Sequence, residues 1–281
     1  MFTDLLTHEY FWLSFLPVVC LSGGFWLLYF DRLDSKNEPL YLLFIALLAG
    51  AFSAVIFVWI FQRFVESNLS LLVLSEEFCK AVCAVLAMEL VKARFETISQ
   101  GIMYGFAVGL GFAVVEDLVY LMRIYESVQF DPAFWIVFQG RFWSSTLVHG
   151  LTMAFFGLYY SAAYLSPTVN KGGHESPLKV LFAPMSFQAL WQVLTLHVTR
   201  MHLLLHNHKD LQGHLSRSVI SEGFVMAFFV HLIFNLILSY SMPALAFLFG
   251  VGGLWFLGYK SKKLGFIMSC GTCFSILNYN L

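Results

Sequence analysis

The sequence predicts an all-α fold, a polytopic transmembrane helical bundle of about eight to nine spans. Three observations predict it. Of the 281 residues, 59% are hydrophobic and only 12% are charged, about half the charged fraction of an ordinary soluble domain. Mean hydropathy is +0.76. Several apolar runs also reach the roughly 20 residues a membrane helix needs.

Taken in order, the first span covers about Tyr10–Phe30. The segment before it, "MFTDLLTHE", lacks the positive start of a cleavable signal peptide, so this helix is expected to be retained. The second span covers Pro39–Phe61, the third Leu69–Leu90 and the fourth Gln100–Met122. The fifth runs about Phe134–Tyr164, the sixth Leu178–Leu196, the seventh Val219–Tyr240 and the eighth Pro243–Gly258. The tail from Leu264 forms either a short ninth segment or an interfacial one. The longest polar connections, "LSPTVNKGGHES" and "HVTRMHLLLHNHKDLQGHLSRS", are too short to bury a core of their own. One membrane domain, 1–281, is therefore expected.

A formal net charge of −1 gives no reason to expect nucleic-acid binding, and no long basic run marks a lipid-headgroup patch. The partners implied are the bilayer and whatever acts within it. The five cysteines, Cys20, Cys79, Cys83, Cys270 and Cys273, all fall in apolar segments and read as small core residues. The positive-inside rule does not settle orientation. The loop "DRLDSKNEP" and the absence of Lys or Arg before span one lean towards an outside N-terminus.

Ionisable side chains at bilayer depth cost roughly 3 kcal/mol each on insertion scales, and they persist where they pair or line a wet cavity. Few lie in the predicted spans. Span three holds Glu76, Glu77 and Lys80, and span four holds Glu116 and Asp117. Span five holds Arg141 and His149, and span seven holds His231. Glu89 and Lys92 sit near a span end, where snorkelling accounts for them.

Glu76 and Glu77 stand four and three residues before Lys80, so the ammonium reaches either carboxylate. One Lys cannot offset two Glu. The remaining carboxylate must find another cation, hold a proton or contact water. A general base, a helix-stapling ion pair and a proton-path carboxylate all satisfy that demand. In "YGFAVGLGFAVVEDLVY", Gly105 and Gly109 form a GxxxG that lets another helix approach closely. Glu116 is one turn from Phe112 on that helix, as a functional acid or as a partner for Arg141 or Lys80. Arg141 and His149, eight residues apart, share roughly one face. His231 and Asn235 are one turn apart, so Asn235 is either an oxyanion donor or interhelical polar glue. With the N-terminus outside, the expected depth of Glu76 is about eight residues, or ~12 Å, below the outer end of its span. Glu116, His149 and His231 then fall at the middle to outer level, the two histidines on spans that both enter from outside.

With these motifs in order, the chain resembles the PrsW family of intramembrane proteases, within the wider superfamily that includes the CAAX prenyl endopeptidases. "EEFCK" fits EExxK and "FAVVE" fits FxxxE. "RFWSSTLVH" fits the arginine-then-histidine element of the fifth span, and "HLIFN" fits HxxxN. "YFDRLDSKNEPL" is similar to the family's Asp…Glu-Pro connection. Coverage runs from about Tyr29 to Leu238, a motif-bearing core of about 29–240. Asp117 stands where the family often has Asn. The His-rich loop, with His197, His202, His206, His208 and His214, is not part of the pattern and reads as a solvated loop.

The resemblance implies an endopeptidase of a prokaryotic cell membrane that cuts a membrane-anchored protein, such as an anti-sigma factor, by water attack on a peptide carbonyl. Glu76 or Glu77 would take the proton, with Lys80 orienting the pair and Arg141 in support. His149 and His231 would position water or polarise the carbonyl. Asn235 would stabilise the oxyanion, and Glu116 would be a second acid or positioning group. Two histidines and a glutamate, His149, His231 and Glu116, suit a Zn²⁺ with an open fourth position. No HExxH is present, so helix-encoded zinc ligation is not supported; glutamic and metallo versions fit the same residues, and the cofactor is either none or one zinc ion. The competing readings are a proton- or cation-coupled transporter or channel using the same carboxylates, and an inactive relative that binds membrane partners.

Overall fold

A computed structural model describes residues 39–65, 67–91, 96–129, 131–165, 212–240, 242 and 244–259. The expected first and sixth spans, the tail from Leu264 and most of the His-rich loop lie outside the described residues. The described chain is helical throughout, with no strand. Its helices are α1 (Leu40–Val65), α2 (Leu69–Leu90), α3 (Ile98–Val128), α4 (Pro132–Leu165), α5 (Gln212–Ser239) and α6 (Ala244–Tyr259). Every span expected within the described residues is therefore a helix. Three of them, Leu40–Val65, Ile98–Tyr125 and Val219–Ser239, are long and apolar enough to cross a membrane, and Ala244–Tyr259 is a shorter apolar helix. Among the described residues the protein is all-helical with three candidate spans, which does not confirm the eight or nine expected of the full chain. α2 falls outside that set because Glu76, Glu77, Lys80 and Glu89 interrupt its apolar run.

Local chemistry fixes the helix starts. The Asn68 side chain accepts from Leu71 N and caps α2. Thr97 and Gln100 form a reciprocal capping box at α3. α1 carries a π-turn at Phe57–Phe61. Pro132 opens α4, where its missing N–H costs nothing.

Glycines set the spacing around α3. A Cβ added at Gly101, Gly105 or Gly109 would strike the α4 backbone at Gly157, Met153 or His149, and one at Gly111 would strike α1 at Leu47. The GxxxG thus packs helix on helix, as expected. The same pairs make α3 and α4 antiparallel. Lys80 beside His149 and Glu89 beside Tyr160 make α2 and α4 parallel. His231 beside His149, with Gly223 beside Phe156 and Tyr159, makes α5 antiparallel to α4. This corrects the expected orientation of the histidine helices: α4 and α5 run in opposite directions, so the two do not both enter from one side. The histidines meet because antiparallel helices cross at that level.

Glu89, half-buried near the end of α2, accepts a 2.7 Å hydrogen bond from Tyr160 Oη. Elsewhere the outward faces stay apolar. Trp59 and Phe64 are more than 80% exposed, as lipid-facing residues should be.

Candidate active site

Polar side chains from α2, α3, α4 and α5 converge at the centre of the bundle. Each reaches it by helical register. On α2, Glu76, Glu77 and Lys80 are buried while Leu71 on the other face is exposed. Close contact at Gly109 brings the α4 backbone at His149 against α3, which lets Glu116 of α3 reach the His149 ring.

Glu77 is the hub. It is fully buried, and its Oε1 accepts from Lys80 Nζ, from His231 Nδ1 at 2.6 Å and from Thr152 Oγ1 at 3.4 Å. Lys80 Nζ also lies 3.0 Å from His149 Nδ1 and 4.8 Å from the centre of the Phe112 ring. His149 Nε2 meets Glu116 Oε2 at 2.7 Å, with Ser145 Oγ on the same oxygen at 3.4 Å. Arg141 reaches Glu116 Oε1 through Nη2 at 2.8 Å and Asp117 Oδ1 through Nε at 3.1 Å. The Arg141 guanidinium lies 3.9 Å from the centre of the Tyr120 ring. The imidazoles of His149 and His231 meet edge to face with centroids 4.8 Å apart.

These contacts fix both tautomers. An ammonium has only donors, so His149 Nδ1 accepts from Lys80 and the ring proton sits on Nε2, facing the Glu116 carboxylate. His231 donates from Nδ1 to Glu77, which leaves a lone pair on Nε2. That lone pair faces Glu76 Oε2 at 3.6 Å, a buried oxygen with no hydrogen-bond partner. Two acceptors facing each other in a buried space are satisfied by a proton held between them, or by a water or cation beside both.

The donor chemistry suits a metal ion. Glu76, His149 and His231 each offer a ligand atom, and these atoms lie within 4.8 Å of one another. Two imidazoles and a carboxylate form a catalytic zinc set with an open position. A carboxylate behind the histidine, here Glu77 on His231, is the usual orienting partner. The acid in this group is Glu76, whereas the sequence pointed to Glu116. Glu116 is engaged by Arg141 and by the far nitrogen of His149.

Seven of the eight expected site residues, Glu76, Glu77, Lys80, Glu116, Arg141, His149 and His231, join one cluster. Asn235 does not. It lies one turn beyond His231, half-buried, and makes no side-chain hydrogen bond among the described residues. The residues not singled out in advance are Thr152, Ser145 and Tyr120. Helical spacing could have found them. Thr152 and Ser145 are three and four residues from His149, and Tyr120 is four from Glu116.

A family model described as PrsW family intramembrane metalloprotease matches residues 38–208. The match contains every clustered residue except His231. No curated protein and no solved structure matches the chain.

Proposed function

We propose, from the premise that the chain belongs to the PrsW family of intramembrane metalloproteases, that its buried polar cluster hydrolyses a peptide bond in a membrane-anchored protein. The observation that carries the reading is the approach of Glu76, His149 and His231 ligand atoms to within 4.8 Å. The substrate class is an anti-sigma-factor-like protein, and the setting is a prokaryotic cell membrane.

Glu76 is the proton acceptor. Its Oε2 is buried and unpartnered beside His231 Nε2, where an attacking water can bond both. Water adds to the peptide carbonyl as its proton passes to Glu76, and Glu76 then returns that proton to the departing amine. Glu77 has a different task. Three donors already engage its Oε1, so it orients His231 and neutralises Lys80. Glu116 and Arg141 hold His149 in one tautomer. Asn235, half-buried one turn beyond His231, donates to the developing oxyanion once substrate is present.

Glu76, His149 and His231 would hold a zinc ion. When bound, it supplies Lewis-acid polarisation of the carbonyl and a nucleophile at neutral pH. A carboxylate has two oxygens, so Glu76 keeps one for the proton.

The test is cleavage of a membrane-anchored reporter by purified protein in vesicles. Wild type should cut it. Glu76→Gln, His149→Ala and His231→Ala should not, with Glu76→Gln, which removes no hydrogen bond, keeping the wild-type melting temperature within a few degrees. Proton-coupled flux in the same vesicles without cleavage would overturn the protease reading in favour of a transporter.

A further inference from the structure

We infer that water and small hydrophilic solutes reach the buried cluster along the α3–α4 seam, through a mouth formed by Tyr120, Arg141 and Glu116. The inference rests on the reading of the cluster as a hydrolytic site, since hydrolysis consumes a water at each turnover. That water needs a way in. Of the seven clustered residues, Glu76, Glu77, Lys80, His149 and His231 are at most 4% exposed. Only the side chains of Arg141 and Glu116 reach the surface appreciably, at 26% and 20%.

The seam has a dry half and a polar half. From Gly101 to Gly109, α3 lies so close to α4 that an added Cβ would strike the α4 backbone, and no space for a water is left between them. Past that stretch, bulky polar side chains replace the glycines. Tyr120 stands at the outer edge, 39% exposed, with its ring against the Arg141 guanidinium. Arg141 pairs with Glu116 Oε1. Glu116 Oε2 accepts from the buried Ser145 Oγ at 3.4 Å and meets His149 Nε2 at 2.7 Å. Exposure thus falls stepwise from Tyr120 to His149, and every step offers a group that can bond a passing water. Leu121, five residues from Glu116 and so on a different face of α3, packs with Phe134 and Phe138 in a buried apolar cluster. The opening is therefore confined to the polar side of the seam.

The mouth also lies towards water. α3 has 31 residues and is about 46 Å long, against a hydrocarbon core of about 30 Å. Arg123, Gln129 and Asp131 are all exposed at its C-terminal end, which marks that end as the one standing in water, and Tyr120 is about two turns from it. The rival opening is at Asn235, also half-buried near the site. Its neighbours Ile233 and Leu236 are exposed, and such an apolar surround faces lipid.

The experiment is thiol labelling of the full-length protein in lipid nanodiscs, which leave both faces in water. The probe is a trimethylammonium-ethyl methanethiosulfonate, soluble in water and excluded from lipid. Modification is read as a mass shift on the peptide carrying the introduced cysteine, so the native cysteines stay in place. Ser145→Cys should react at least about tenfold faster than Ser161→Cys, which is buried against Gly101 in the dry half, because a sealed thiol waits for local opening. It should also react faster than Asn235→Cys. Tyr120→Cys is the second variant if Ser145→Cys does not fold. It should outpace Trp59→Cys, although Trp59 is the more exposed residue, because Trp59 faces lipid. A Ser145→Cys as slow as Ser161→Cys, or slower than Asn235→Cys, would overturn the inference, as would a Tyr120→Cys slower than Trp59→Cys. Labelling needs no turnover. A wild type that cleaves no reporter fails the protease reading and leaves the route to the labelling, whereas a sealed Ser145 beside normal cleavage fails the route alone.

Discussion

Glu77 Oε1 lies 2.6 Å from His231 Nδ1, and this hydrogen bond ties α2 to α5 in the buried centre of the bundle. The same oxygen holds Lys80. Removing Glu77 therefore leaves a buried ammonium and an imidazole without their shared acceptor. Breaking a buried pair from one side costs about 3–5 kcal/mol. Glu77→Ala should lower stability by about that much, and a double-mutant cycle with His231→Ala should show coupling above ~1 kcal/mol. Denaturation in mild detergent measures both. Additive losses would show that the two residues do not act together.

Glu76 should behave in the opposite way. Its buried Oε2 has no partner to lose, so Glu76→Gln is expected to leave thermal stability near wild type. The same change removes the proton acceptor and should reduce turnover of a membrane-anchored reporter about 10²–10⁴-fold. Adjacent glutamates would thus separate, one failing in stability and the other in chemistry. Near-normal turnover in Glu76→Gln would remove it from the reaction.

Helix packing gives a third test. A Cβ at Gly109 would meet the His149 carbonyl, whereas Gly140 and Gly252 have open space around them. Gly109→Val must push α4 from α3 and carry His149 with it. Overpacking of this kind costs about 1–3 kcal/mol, and cleavage should fall with stability. Gly140→Ala and Gly252→Ala should be neutral or stabilising by up to ~1 kcal/mol, since alanine is the better helix former. Thermal melts and the reporter assay on the three proteins read this directly.

Most of the site was legible from the sequence because membrane burial makes ionisable residues rare and therefore informative. Glu76, Glu77, Lys80, Glu116, Arg141, His149 and His231 stood out one by one, and their helices were placed within a few residues. What the sequence could not supply was which partners they would choose. Glu76 and Glu77 are adjacent and chemically identical. Only the side of α2 that α5 covers makes one a hub and leaves the other with a free oxygen. The relative direction of α4 and α5 was also hidden, because hydropathy marks where a helix runs and not which way it faces its neighbours. Thr152, Ser145 and Tyr120 went unnoticed since hydroxyl and aromatic side chains are ordinary in apolar helices.

Lys80 supplies the last prediction. Its Nζ lies 3.0 Å from His149 Nδ1, so it occupies the lone pair through which that imidazole would bind a metal ion. It also places a positive charge beside the Glu76, His149 and His231 donors. Zinc binding must displace that hydrogen bond and overcome the repulsion. A unit charge at ~4 Å is worth several kcal/mol against a cation even at an effective dielectric of 20. Lys80→Met keeps an apolar stem of similar length while removing both obstacles. It should bind Zn²⁺ at least about tenfold more tightly than wild type, a change of ~1.4 kcal/mol or more. Calorimetric titration of Zn²⁺ into metal-stripped protein in nanodiscs, with His149→Ala as the control that loses the site, measures it. Equal or weaker binding by Lys80→Met would mean that Lys80 supports the ligand set rather than competing with the ion.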